Sequence, residues 1–307
     1  MAIGLRYLIF LLLISSFPAN SKWEDGIPMP QAKSGMVATV IGNNIILIGG
    51  KSIIDGSPIS EIFDIKGNIW HPISIMPKQL IGTRIVNIGD KCLVCGGFNN
   101  QKVTNECWIY DVLLSLWVRT DSMPLARAEH SMIRINNKIY VLGGVGEEPE
   151  RLMIYNISKK RWSISKYNLP TVRYSMATTK FNDSIVTIGG VQVSSNNVTS
   201  VVEVFDPEKK KWTRLKDLPQ KIASASATEI NSKLHVVGGK TFSPLKTYDN
   251  HYIYFNNDWS EREPMPTPRH DMASVNNGKK WYIIGGAVSP GIFSIFSPTD
   301  VVEIYSQ

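Results

Sequence analysis

Cysteine is scarce: Cys92, Cys95 and Cys107 are the three in a chain of 307 residues. So few exclude the dense disulfide framework that holds small secreted domains together. Cys92 and Cys95 have Cys-x-x-Cys spacing, but they fall in one apolar strand, where residues three apart face opposite sides. They therefore do not make a single chelating or redox unit. Cys107 lies in the next strand and can reach one of them across the pair; alternatively, all three are small buried apolar residues. Histidine is also rare, with five in the chain, and no pair has metal-ligand spacing. No metal and no cofactor is expected. There is no Gly-x-Ser-x-Gly elbow, phosphate-binding loop or Cys/His nucleophile pairing, so no catalytic residue is assigned. A helical period is missing throughout. After the N-terminal residues, no apolar stretch approaches the eighteen or so residues that would span a bilayer, and no membrane span is expected.

Acidic residues are outnumbered: 33 Lys and Arg against 26 Asp and Glu give a net charge of +7. No basic run alternates with stacking aromatics, which argues against a nucleic-acid groove. Lys209-Lys210-Lys211 follows Pro207-Glu208 and reads as a solvated turn. The excess points instead to an acidic partner surface or a polyanionic glycan.

What is present in abundance is a repeat. Gly-Gly occurs at Gly49-Gly50, Gly96-Gly97, Gly143-Gly144, Gly189-Gly190, Gly238-Gly239 and Gly285-Gly286, at intervals of 47, 47, 46, 49 and 47 residues. Tryptophan keeps step at Trp23, Trp70, Trp117, Trp162, Trp212 and Trp259. A proline follows each one, at Pro30, Pro77, Pro124, Pro170, Pro219 and Pro266. An apolar, β-branched run entered from a tight turn precedes each Gly-Gly and reads as a buried strand. A second strand ends in an aromatic, as in Ile62-Phe63-Asp64 or Val204-Phe205-Asp206, and a turn then leads to the Trp strand. Each repeat thus holds four short strands. A sheet of that size does not bury both faces alone, so the repeats must stack. Gly-Gly permits close approach of neighbouring backbones, and the aromatics fill the wedges between sheets.

Over residues 22–307 this pattern resembles the kelch repeat, the blade of a radial β-propeller. The resemblance implies an all-β, six-bladed propeller. The last repeat stops at Tyr305-Ser306-Gln307 without a Trp strand, whereas Trp23 has no strands of its own before it. The segment Lys22–Pro28 is therefore expected to supply the outer strand of the sixth blade and leave no open edge. The unbroken repeat leaves no room in this length for the BTB, BACK or F-box domains that many kelch proteins carry.

The first residues differ in kind. Arg6, the apolar run 7–14 and a small-residue exit through Ala19 and Ser21 read as a secretory signal peptide over residues 1–21. Removal of Arg6 leaves a net charge of +6, from 32 basic and 26 acidic residues. Asn156-Ile157-Ser158, Asn182-Asp183-Ser184 and Asn197-Val198-Thr199 are glycosylation sequons in expected turns or loops. Together they predict a secreted glycoprotein.

Three residues past the repeat proline a cation recurs: Lys33, Arg127, Arg173 and Arg269, replaced by Leu80 and Ile222 in the other two repeats. In kelch proteins, arginines at the Met-Pro-x-x-Arg position often face the ligand-binding mouth. The resemblance therefore implies that Arg127, Arg173 and Arg269, with Lys33 a weaker match, grip an acidic partner bidentately. The alternative is that they pair with local acids such as Glu129 or Asp271 and fix the loop. Lys51 and Lys240 directly follow Gly-Gly pairs. His130 and His270 stand near the inner strands of opposite blades and complete the candidate binding set. The resulting expectation is a protein-interaction module for an acidic partner. The second reading is a sugar-binding or sugar-isomerising propeller, because a bacterial sialic acid mutarotase is similar in being a secreted six-bladed kelch propeller.

Overall fold

The computed structural model describes residues 22–53 and 60–306; the leader segment lies outside them. The described residues form six four-stranded antiparallel sheets. Blade 1 runs outward through Ser34–Ile41, Asn44–Lys51, Ser60–Asp64 and Ile69–Ile73. Blade 2 contains Arg84–Asn87, Lys91–Cys95, Cys107–Asp111 and Leu116–Thr120, and blade 3 contains Ser131–Ile135, Lys138–Leu142, Met153–Asn156 and Arg161–Ile164. Blade 4 contains Ala177–Phe181, Ser184–Ile188, Val202–Asp206 and Lys211–Arg214, and blade 5 Ser226–Ile230, Lys233–Val237, His251–Phe255 and Asp258–Arg262. Blade 6 contains Ala273–Asn276, Lys280–Ile284 and Val302–Ser306 and is completed by Lys22–Asp25.

The seam follows the expected register: Lys22 opposes Ser306, Trp23 opposes Tyr305 and Asp25 opposes Glu303. Beyond the strand, the Gly26 amide donates to the Val302 carbonyl and the Met29 amide to Asp300, both at 2.8 Å.

The aromatics do what their spacing implied. In every blade the third-strand aromatic stacks on the outer-strand tryptophan. The pairs are Phe63–Trp70, Tyr110–Trp117, Tyr155–Trp162, Phe205–Trp212, Tyr254–Trp259 and Tyr305–Trp23, with centroids 4.8–5.1 Å apart. Such a pair contributes about 0.5–1.5 kcal/mol beyond its buried area. Five of these indoles also donate Nε1–H to a carbonyl just past the preceding blade's outer strand: Trp70 to Ile27, Trp117 to Ser74, Trp162 to Asp121, Trp259 to Lys216 and Trp23 to Glu263. The core lies between blades. In one wedge, for example, Ile45, Leu47 and Phe63 of blade 1 pack with Tyr282, Ile284 and Val302 of blade 6.

Cys95 and Cys107, directly opposed in blade 2, form a disulfide, and Cys92 is a buried free thiol. Burial pushes the Cys92 thiol up to about 12, so it is inert. Of the three sequons, Asn182 sits in an exposed hairpin turn and Asn197 in an exposed loop after the Gly-Gly of blade 4. Asn156 instead ends a strand, and its side-chain carbonyl accepts the Lys159 amide at 2.9 Å.

The wedge between blades 5 and 6 buries two histidines under the closing strand. The Trp23 ring lies 5.8 Å from that of His251, and the Trp23 indole donates to the same Glu263 carbonyl that faces His251 Nδ1. His251 Nδ1–H therefore donates to Glu263, and its Nε2 accepts from His235 Nδ1–H at 2.9 Å. That chain of donors uses neutral rings. Burial lowers His251 to about 4 and His235 to about 3. Their contribution to stability is thus complete above the ordinary histidine value near 6.5. It is lost as pH falls below 6.5 toward those folded-state values, because only the unfolded chain takes up the protons. The loss approaches about 1.4 kcal/mol per pH unit for each ring. Urea midpoints measured from pH 7 to pH 4.5 should therefore fall more steeply for the parent than for a His235→Leu/His251→Phe variant. Equal slopes would remove the pair as the acid-sensitive element.

Candidate functional site

The segment entering each inner strand sets the mouth of the central channel, and the cations of the repeat stand on it. None of them reaches the mouth. Lys33, Arg127, Arg173 and Arg269 are each 0 % exposed, which corrects the expectation that they face a ligand. Their side chains run back into their own blade. The Arg173 guanidinium donates to the carbonyls of Gly189 and Val201 at 2.6 and 2.9 Å and to the Glu203 carboxylate at 2.8 Å. Arg269 repeats this with Gly285, Val301 and Glu303 at 2.9, 2.9 and 2.6 Å. Thr171 and Thr267 hydroxyls donate to the second oxygens of Glu203 and Glu303, both at 2.7 Å. Lys33 pairs with Glu61. Arg127 has no such acid; it donates to the Gly143 carbonyl at 3.0 Å, to the Glu147 carbonyl at 2.6 Å and to the Glu148 carbonyl. The partners are not the anticipated Glu129 and Asp271, which lie elsewhere.

The main chain of the same residues binds the other way, to the preceding blade. In five of the six pairs the second glycine donates its amide to the carbonyl at this position: Gly97 to Arg127, Gly144 to Arg173, Gly190 to Ile222, Gly239 to Arg269 and Gly286 to Lys33, at 2.7–2.9 Å. At blade 3 the need for glycine is explicit. Gly143 and Gly144 have φ of +62° and +90°, and a Cβ on Gly143 would stand 2.4 Å from the Arg173 carbonyl oxygen.

His130 and His270 are also withdrawn, both 0 % exposed. His130 is wedged beside Gly96 and Gly144, and neither ring nitrogen has a hydrogen-bond partner among the described residues. Burial, together with Arg84 and Arg127, holds it well below the usual histidine range. The His270 ring nitrogens face the Asp271 carboxylate at 2.8 Å and the Ser289 carbonyl at 3.0 Å.

The residues that do line the channel stand two positions past the cation: Gly35, Gly82, Glu129, Ser175, Ser224 and Asp271. All six have positive φ, between +50° and +72°. Their backbones join into a circlet around the axis: Glu129 N to Gly82 O at 2.8 Å, Ser175 N to Glu129 O at 3.1 Å, Ser224 N to Ser175 O at 2.9 Å, Asp271 N to Ser224 O at 3.2 Å and Gly35 N to Asp271 O at 2.8 Å. Below it lies a cavity of about 380 Å³ that includes Arg84, Ser131, Thr178, Ser226, Lys240 and Ser274 in its wall. Glu129 and Asp271 belong to opposite blades. Glu129 accepts from the Ser175 hydroxyl at 2.5 Å, and Asp271 from Lys240 at 2.7 Å. Burial would raise the Asp271 carboxyl, but the Lys240 charge and the bonds from His270 and Lys240 outweigh it and hold it well below the usual range. Burial lowers the Arg84 guanidinium, and Glu129 and Asp271 pull it back up; it remains a cation facing two acids. The cavity therefore offers charges of both signs among hydroxyls. Such a wall binds polar groups.

Sequence reasoning named Glu129, Asp271 and Lys240 without this role and passed over Arg84, Ser175 and Ser224. The signal was the residue two past each cation, where side chains turn toward the axis.

A family model described as the Attractin/LZTR1 beta-propeller matches residues 45–286. The chain belongs to this family. Among curated proteins it is similar to Kelch-like protein 25 of Xenopus tropicalis, 24 % identical over 264 residues, covering 80 % of this chain and 43 % of that protein. It is 25 % identical to Beta-scruin of Limulus polyphemus over 216 residues, covering 64 % and 23 %. It is 23 % identical to the putative protein tag-53 of Caenorhabditis elegans over 312 residues, covering 87 % and 23 %. The chain thus spans less than half the length of these relatives. The solved structure of YjhT superimposes with a TM-score of 0.79 at 17 % identity, over 90 % of this chain and 95 % of that one; this likeness is one of fold. A propeller of kelch type is established.

The buried cations yield a test. Arg269→Met leaves the Glu303 carboxylate with the Thr267 hydroxyl but no cation, and a buried charge without its counter-charge costs about 3–5 kcal/mol. Adding Glu303→Leu should recover most of that loss in urea unfolding. A single variant as stable as the parent would contradict the internal role.

Proposed function

We propose that this propeller is a non-catalytic interaction module whose channel mouth receives a polar, acid-bearing segment of a protein partner. The observation that carries this reading is the cavity of about 380 Å³ beneath the circlet, with Arg84 and Lys240 in its wall. These two cations replace the arginines that the repeat pattern had suggested. A charge-assisted bond to Arg84 contributes about 1.5–3 kcal/mol, or roughly ten- to a hundredfold in affinity. Arg84 donates to the Thr83 carbonyl at 2.7 Å and holds no buried carboxylate of its own. Arg84→Ala should therefore strip partners from the tagged protein, read by quantitative mass spectrometry of co-purifying proteins, while the melting temperature stays within a few degrees. Unchanged recovery of every partner would sink Arg84 and the cavity it lines as the recognition element.

One observation favours a sugar ligand as the second reading: Glu129 and Asp271 face each other across a cavity walled with hydroxyls and one guanidinium. Carboxylates and hydroxyls of this kind hold sugar hydroxyls and suit acid–base chemistry. If accelerated anomer exchange of sialic acid is seen by NMR, and is lost on Glu129→Gln, the sugar reading replaces the first.

We also propose that the chain is exported. The apolar leader with its small-residue exit, the sequons and the Cys95–Cys107 disulfide support this, since disulfides persist in oxidising compartments. Expression in a eukaryotic host should give secreted material beginning near Lys22, with glycan at Asn182 or Asn197 before Asn156, whose amide is held in a turn. An unprocessed, glycan-free intracellular chain would overturn this.

A further inference from the structure

One side of the mouth carries apolar side chains that nothing among the described residues covers. After the Gly-Gly of blade 6 the chain forms a short 3-10 helix, Gly291–Phe296. Ile292, Phe293, Ile295 and Phe296 on it are between 56 % and 76 % exposed. The neighbouring loop of blade 5, a hairpin of Lys240–Phe242 and Leu245–Thr247, adds exposed Phe242 and Leu245. The two loops touch, because a Cβ at Gly291 would come within 3.0 Å of the Leu245 side chain. The six side chains make one ridge, on the order of 500 Å², at the upper end of the apolar area that monomeric proteins leave uncovered. Residues 288–299 contain no charged residue, and residues 240–247 contain two lysines and no acid. The ridge is continuous with the channel, since Ser294 and Ile295 also line its cavity.

We propose that this ridge is the primary docking surface for a protein segment that presents large apolar side chains next to a carboxylate. The proposal rests on the reading of the mouth as a protein-binding site and adds where the partner's apolar residues sit. The apolar side chains cover Ile292, Phe293, Phe296, Phe242 and Leu245. The carboxylate meets Lys246 on the flank and the adjoining Arg84, Lys240 being held by Asp271. A lipid surface is disfavoured: two flanking lysines are fewer than the basic clusters that anionic headgroups attract, and part of the ridge turns into the channel. A second copy of the chain is disfavoured as well, because the ridge falls short of the roughly 800 Å² per partner of a stable interface and needs the cavity rim to complete it.

The test uses the whole secreted chain against a phage library of random twelve-residue peptides. Selected peptides should combine two or more large aliphatic or aromatic residues with Asp or Glu. Synthetic versions should bind Phe293→Ser/Phe296→Ser at least tenfold more weakly than the parent, with no change in melting temperature. If peptides are lost on Arg84→Ala but not on the ridge variant, the ridge proposal falls and the cavity reading stands. Failure of both variants to weaken binding, or no enrichment at all, removes both. A dimer in sedimentation that Phe293→Ser/Phe296→Ser dissociates, or adsorption to phosphatidylcholine–phosphatidylserine vesicles that this variant abolishes, would assign the ridge to another occupant and overturn the proposal.

Discussion

Everything in this ring depends on one two-sided clasp. At the entrance to each blade a single residue reaches in two directions. At five of the six entrances its carbonyl takes the amide of the second glycine in the blade behind, and in three blades its cation is locked onto the carboxylate of its own third strand. The peptide groups fit because the glycines have no side chain in the way. A bond between neutral backbone groups is worth only about 1 kcal/mol net. Five wedges share the duty, however. The buried ion pairs cost desolvation and are weak as sources of stability; their value here lies in orientation. They hold the entering segment so that the residue two positions on turns to the axis.

That division explains how a repetitive scaffold carries an irregular site. The clasp position is nearly invariant in shape, and the position two residues later is free to vary. It is occupied by two glycines, two serines, a glutamate and an aspartate in one circlet. Four of these are non-glycine residues held at positive φ, a conformation that costs on the order of 1 kcal/mol each and persists because the clasp and the backbone circlet impose it. Chemical individuality is thus displayed at the register that lines the central channel, while the variation at the clasp register stays buried.

The fold was readable because its signals repeat six times. Gly-Gly, Trp and the third-strand aromatic report wedge packing, which every blade must solve alike, and even the displaced Trp23 disclosed the seam. The site was harder. Arg127, Arg173 and Arg269 are conspicuous, but a cation at a loop is equally suited to a mouth or a wedge, and only its direction decides. The deciding signal was a second periodicity. Glu61, Glu203 and Glu303 each stand two residues before the third-strand aromatic, in the same three blades that bear Lys33, Arg173 and Arg269. Where the cation is replaced by Leu80 or Ile222, that place is taken by Trp108 or Tyr252. Arg127, facing Met153, breaks the rule and uses loop carbonyls instead. The facing of Glu129 and Asp271 across the axis depends on which blades are opposed, and the ridge on two loops meeting side by side; neither is a property of any local stretch.

The seam has a consequence in time. The strand Lys22–Asp25 pairs with Val302–Ser306, so the first strand of the ring to leave the ribosome has its partner among the last. At about 5–20 residues per second, some 280 residues of synthesis separate them by roughly 15–60 s. Throughout that interval Trp23 has no Tyr305 to stack on, and its strand has no neighbour. Blades 1 to 5 can form as they emerge, each from contiguous chain, but the ring stays an open crescent with an aromatic-bearing strand exposed at one end. The strand that completes the sixth blade in the finished molecule thus stays unpaired for nearly the whole of its making. The cell must keep that strand from other edges until the last blade arrives.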